Sequence, residues 1–291
     1  MTSPDPDALH AANRRGVIAM ALGMASFVAN DALVKYVSQS LPATELIFLR
    51  GLFATALVAA ICAGAGVLRQ WRTLLDRKVA ARAAFDAFAT MTYLISLFHL
   101  PIANATAINM ATPLVITLLA VLLLKEQVGL SRWLAIVVGF TGVLLVVQPR
   151  SDAFNAYALL CLFGTLLHSS RDLITRSIHH GVPSLLITLS TAVAVTLLSG
   201  VMGFAQEWQP PTSTHLGLLG AASVFLSGGY YLLTISMRSG GEMSLITPFR
   251  YTGLLFAIVL GFAIWGDVPN AAAWAGIALL VGAGLYMLRG R

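Results

Sequence analysis

Charge is what this chain has least of. Only 10% of its 291 residues are Asp, Glu, Lys or Arg, against roughly a quarter in an ordinary soluble domain. That is too little polar surface to cover a water-soluble globule. Hydrophobic residues make up 58% instead, in long runs, so lipid is the expected solvent. Acidic residues are scarcer than basic ones, 12 against 18. The excess does not indicate a nucleic-acid partner, because the basic residues stand between apolar runs, where they orient a membrane protein. Cysteine is nearly absent: Cys62 and Cys161 lie inside apolar runs, without metal-ligand spacing or a nearby partner. They are expected toward opposite membrane faces, so neither a disulfide between them nor a metal site is expected. No GxxxxGK[ST] loop occurs, so ATP is not the expected energy source. HExxH, CxxC and GxSxG are missing too. No compact catalytic set stands out, and neither an enzyme nor a cofactor is expected. The polar opening segment lacks the apolar core and small-residue cleavage site of a secretory signal, and residues 1–15 are read as a cytoplasmic tail.

A membrane-spanning helix needs about 20 apolar residues. Ten such helices are expected, over 16–38, 43–66, 82–99, 103–124, 131–148, 155–177, 183–205, 214–238, 242–264 and 271–288. Connections are short except 67–81. There Leu68, Trp71, Leu74 and Leu75 alternate with Arg69, Arg72, Arg77 and Lys78, a composition suited to lying on an anionic membrane surface. Most Lys and Arg fall at the termini or after even-numbered helices, and only Lys35 and Arg150 flank the other face. The positive-inside bias therefore places both termini in the cytoplasm, which requires an even number of spans.

The chain also repeats itself. A shift of 141 residues lays Asp31 on Asp172, Lys35 on Arg176, Pro42 on Pro183, Glu126 on Asp267 and Trp133 on Trp274. Two units follow, 16–150 and 151–291, of five helices each. An odd number of helices obliges the second unit to enter the membrane from the opposite side. Inverted repeats of this kind hold a substrate near the midplane between the halves. The fold class expected is therefore an all-α integral membrane protein of two inverted five-helix repeats.

The segment Ala103–Pro149 carries Pro113 in its fourth helix, a Leu-rich run closing on Lys125 and Glu126, then Trp133 and a fifth helix with Gly139 and Gly142. It resembles the end of a repeat in the drug/metabolite transporter superfamily, EamA family. The second half repeats the pattern with Thr247 to Tyr251, Trp265–Gly266–Asp267, Trp274 and Gly276. It departs from the family where Asp267 replaces the usual Glu and where Pro248 lies farther from the closing acid. The resemblance implies a secondary transporter of the bacterial inner membrane, a monomer or weak homodimer. In it, helices 5 and 10 are peripheral and eight helices surround a cavity, with one half rocking against the other. It is most similar to exporters of amino acids, aromatic and other neutral ones included. Relatives that carry S-adenosylmethionine, nucleosides or drugs keep uptake or exchange of such solutes open, and a membrane-embedded enzyme or scaffold is the alternative of another class.

Ionisable groups inside a span cost about 2.5–3.5 kcal/mol each on insertion scales, and persist where they pair or line a wet path. At 1.5 Å rise per residue, Asp31 and Arg50 fall at similar depths from one face and are expected to meet. Their pairing is either a helix pin, a gate, or leaves Arg50 for a substrate carboxylate. Asp86, Asp172 and Arg250 fall toward the other face and form the expected counterpart, with Arg171 snorkelling to headgroups. Polar residues at helical spacing mark cavity faces: Asn30, Thr90 and Tyr93, Asn109 and Pro113, His168, Ser227 and Tyr230, Thr247 and Tyr251. Each Ser or Thr alone is as readily satisfied by its own backbone, and His168 is either a packed histidine or a substrate or proton site.

Overall fold

Apolar runs without interior proline, such as 43–64 and 184–203, form unbroken helices. Those that contain one break at it. The computed structural model describes residues 6–124, 129–148, 155–179, 181–204, 206–237 and 246–289, and no strand occurs among them. The helices are α1 (Pro6–Val37), α2 (Ala43–Gly64), α3 (Arg77–His99), α4 (Ile102–Asn109), α5 (Thr112–Leu124), α6 (Leu130–Val147), α7 (Tyr157–Arg176), α8 (Ser184–Gly203), α9 (Ser213–Met237), α10 (Thr252–Trp265) and α11 (Ala271–Arg289). Two 3-10 segments, Val67–Leu75 and Thr247–Tyr251, precede α3 and α10.

Several boundaries differ from those expected. Helix α1 begins at Pro6, inside the segment read as a tail, because proline is tolerated in a first turn and no other Pro or Gly follows before Gly16. The single helix expected over 103–124 is divided into α4 and α5 at Met110 and Ala111. Pro113 has no N–H to offer the Asn109 carbonyl, which accepts the Thr112 hydroxyl at 2.6 Å instead. Helix α3 starts at Arg77 because Asp76 caps it, its carboxylate accepting the N–H groups of Lys78 at 2.8 Å and Val79 at 3.3 Å. In the 3-10 segment before it, Leu68 and Leu74 pack on Val58, Cys62, Leu186 and Leu189, while Trp71 and Leu75 face outward.

Helix directions follow from cross-contacts. Ser236 donates to the Gly16 carbonyl and Gly23 abuts Gly229, so α1 and α9 are antiparallel. Thr44 bonds Gln206 while Gly51 meets Thr196, so α2 and α8 are antiparallel. Lys78 reaches Ser177 while His99 stacks on Tyr157, giving the same sense for α3 and α7. Gly142 touches Gly276 and Gln148 bonds Asn270, so α6 and α11 run oppositely. By contrast α4–α5 is parallel to α7, with Cys161, Thr165 and Ser169 facing the carbonyls of Ala105, Ile108 and Thr112. Helix α1 is parallel to α10, with Met24 beside Gly253 and Lys35 over Trp265.

Among the described residues, five stretches are long and apolar enough to cross a membrane: Leu9–Val37, Ala43–Gly64, Ile102–Leu119, Ser184–Gly203 and Ser213–Leu233. Trp133–Val147, Phe249–Trp265 and Ala271–Tyr286 are apolar but shorter. Many large apolar side chains face outward, Leu52, Val137, Leu197, Val224, Leu255 and Phe262 among them, far more than water tolerates on one surface. The inside is a continuous packed core from Val28 and Leu46 through Leu94, Ile108 and Leu114 to Leu219 and Leu280.

Candidate functional site

Two charged clusters interrupt this core. The first joins α1, α2 and α3. The Tyr93 hydroxyl donates to Asp31 Oδ2 at 2.8 Å, and Asn30 Nδ2 donates to Asp31 Oδ1 at 2.9 Å. Arg50 Nη1 donates to Asn30 Oδ1 at a long 3.4 Å. Asp31 and Arg50 are thus neighbours linked through Asn30, and not a direct ion pair: no carboxylate oxygen lies within 4.0 Å of Arg50 among the described residues. Arg50 is nonetheless buried, and its Nε has no hydrogen-bond partner. Ser223 of α9 donates to the Arg50 carbonyl at 3.1 Å.

The second cluster joins α3 and α7. Asp86, 2% exposed, accepts Arg171 Nη1 at 2.7 Å, with Arg82 Nη1 at 3.6 Å and His168 Nε2 at 3.9 Å. Arg171 also holds Asp172 at 2.7 Å. Arg82 is itself pinned by the hydroxyls of Thr175 at 3.0 Å and Thr191 at 2.5 Å. Arg171 is therefore the hub of the cluster and does not snorkel: antiparallel packing brings Asp86 to its side chain, and a carboxylate at 2.7 Å outcompetes a longer reach to headgroups. Arg250, expected in this place, makes no ion pair within 4.0 Å among the described residues.

Tyr93 and His168 connect the clusters, their rings 6.2 Å apart. Tyr230 packs edge-on against Phe27 at 5.1 Å. It lies in electrostatic reach of Arg50, Arg82, Asp86 and Arg171, yet is 38% accessible. Thr90, Asn109, Pro113, Ser227 and Tyr251 are half-buried. Tyr251 packs against Gly284 of α11, and its hydroxyl is buried without a partner. The side chain of Thr247 lies outside the described residues, as do Glu126, Lys125 and Ser244. A groove of about 530 Å³ lies between α2 and α8 under Trp208, and another of about 340 Å³ runs along α1 beside Arg14 and Arg15. Neither is lined by Asp31, Arg50, Asp86 or Arg171.

Sequence reasoning missed Arg82, counted as a loop charge, although its i,i+4 spacing to Asp86 is a recognisable pairing signal. It also missed Glu45, 2% exposed, which accepts the Gln209 N–H at 2.9 Å. With the Phe48–Trp208 ring contact at 5.1 Å, this fastens the loop after α8 over the start of α2. Nothing in the sequence pairs those two segments. No group of three or more His, Cys, Asp or Glu suited to a metal occurs among the described residues.

Among the described residues, a helical body with an apolar exterior and internal charge is the profile of a multi-pass membrane protein. Residues 14–148 and 155–289 each match the EamA-like transporter family. A riboflavin transporter of Rhizobium johnstonii is 31% identical over 75% of this chain and 70% of its own length. A pseudopaline exporter of Pseudomonas aeruginosa is 27% identical over 95% and 96%, and an S-adenosylmethionine uptake transporter of Rickettsia bellii is 24% identical over 92% and 91%. A solved crystal structure superposes with a TM-score of 0.62 at 20% identity, covering 92% of this chain and 96% of that one, which shows the shared fold. The chain belongs to the EamA-like transporter family, within the drug/metabolite transporters.

Proposed function

We propose that this protein is a secondary transporter of the bacterial inner membrane that moves small metabolites by alternating access and exports amino acids, aromatic and other neutral ones. Its ten spans form two inverted five-helix units, 16–150 and 151–291, with both termini in the cytoplasm. In this reading α4–α5 is the fourth span and α10, with its 3-10 lead-in, the ninth. The helix directions support it. Exchanging spans one to five with six to ten turns the α1–α9 pair into α7–α3 and α1–α10 into α7–α4. The α2–α8 and α6–α11 pairs map onto themselves. An antiparallel sense for a self-mapped pair is what inversion requires.

The observation that carries transport is the two separate internal clusters, Asn30–Asp31–Arg50–Tyr93 and Arg82–Asp86–Arg171–Asp172, one toward each face. Breaking one while keeping the other opens a single side at a time. A carboxylate and a guanidinium near one another in the first cluster suit a zwitterion. Names among the relatives favour a second reading, movement of riboflavin or S-adenosylmethionine. The test is uptake into proteoliposomes holding the full chain, with labelled phenylalanine, methionine, threonine, riboflavin and S-adenosylmethionine and no ATP. Flux of an amino acid supports export, and flux confined to riboflavin or S-adenosylmethionine replaces it with the second reading. No flux for any solute overturns transport by this chain.

A further inference from the structure

We infer that Arg50 is a carboxylate subsite: the solute carries a carboxylate that seats on the Nε edge of this guanidinium. The inference rests on the transporter reading and narrows its substrate class.

A guanidinium carries five N–H donors and no acceptor. Arg50 is 5% exposed, yet among the described residues its side chain makes only the 3.4 Å contact to Asn30, and Nε is buried without a partner. Desolvating a cation without a counter-charge is costly. The same chain shows the alternative: Arg171 meets two carboxylates, Asp86 and Asp172, each at 2.7 Å. Asp31 does not do this for Arg50: its oxygens accept from Tyr93 and Asn30, and among the described residues no carboxylate oxygen comes within 4.0 Å of the guanidinium. Arg50 is therefore a buried cation with a donor edge open to an outside anion.

The groups around it select the anion. Asp31 on α1 brings negative charge close by, Tyr93 on α3 and Tyr230 on α9 bring neutral hydroxyls, and Thr196 on α8 packs at Gly51. Among the described residues, Arg50 is the one cation hydrogen-bonded to Asn30, Asp31 or Tyr93. A dianionic phosphate would need more positive charge and would be repelled by Asp31, whereas a carboxylate matches the planar fork through Nε and one Nη. Asp31 beside it also accommodates a cationic amino group on the same solute.

The full chain in proteoliposomes and in detergent tests this with matched pairs: phenylalanine and phenylalaninamide, methionine and methioninamide, with riboflavin as a carboxylate-free solute. Each acid is expected to move, and to raise the melting temperature, at roughly tenfold lower concentration than its amide. Arg50→Gln is expected to bring that ratio close to one. If Arg50→Gln does not fold, Arg50→Lys keeps the charge without the fork and is expected to raise KM for the acid while leaving the amide unchanged. Equal handling of acid and amide by the wild type, or an acid preference that survives in both variants, overturns the subsite. So does transport confined to riboflavin, which leaves the transporter reading standing. Acid-selective stabilisation without flux sinks transport and keeps the subsite, and absence of both overturns both.

Discussion

Asp86 is the residue on which the internal electrostatics turn. It is buried, and its charge is tolerable only because Arg171 and Arg82 face it and His168 stands close. Removing one partner of such a pair leaves an uncompensated charge, at a cost of about 3–5 kcal/mol. Arg171→Met is expected to lower the denaturation midpoint of the detergent-solubilised protein accordingly. The double variant Arg171→Met with Asp86→Leu is expected to recover a large part of the loss, since neither charge remains; a double variant as unstable as the sum of the singles contradicts the pairing. At the other cluster, Tyr93→Phe keeps the ring and strips a 2.8 Å bond from Asp31. A drop of about 1–3 kcal/mol is expected from the acceptor left short, measured by the same denaturation. Depth along a helix was readable from residue numbers, so Asp31 and Arg50 could be set near one another. Rotation about the axis was not, so neither the Asn30 bridge nor the choice of Arg171 over Arg250 as the partner of Asp86 could be read in advance.

At the scale of elements, the long apolar helices were legible because length and composition alone define them. The break between α4 and α5 was legible only as a proline, since residue type does not say whether a helix bends or stops. Pro113→Ala restores an N–H for the Asn109 carbonyl. The variant is expected to fuse α4 with α5, giving slower amide exchange at 110–114 and reduced flux with stability unchanged or higher; unchanged exchange there contradicts the account of the break. The α6–α11 contact rests on small residues, as membrane helices often do. A Cβ on Gly276 would lie 2.5 Å from the Gly142 carbonyl, and one on Gly142 2.6 Å from that of Gly276. Gly276→Val must therefore part the backbones, at about 1–3 kcal/mol, and a melting temperature equal to the wild type's would refute that packing. The glycines were visible in the sequence. That they face each other was not, because only the folded pairing of α6 with α11 brings them together.

For the whole molecule, the internal repeat at a shift of 141 residues was legible through a handful of matched residues, and the family matches over 14–148 and 155–289 keep the same offset. In the proposed reading, the repeat accounts for which helices pair and in which sense. It does not account for the unequal chemistry of the two clusters, since Asn30 and Asp31 correspond to Arg171 and Asp172, while Arg50 corresponds to Thr191. The proposed pseudo-symmetric frame, with different charges at its two ends, suits a carrier whose two open states have different affinities. The decisive measurement is the accessibility of Tyr230, which lies in electrostatic reach of both clusters. In a chain carrying Tyr230→Cys with Cys62→Ala and Cys161→Ala, a membrane-impermeant maleimide is applied separately to each face of oriented vesicles, with and without a transported solute. The account predicts labelling from each face, with solute shifting reactivity from one to the other. No labelling from either face under any condition, or equal labelling from both faces that solute leaves unchanged, would contradict alternating access.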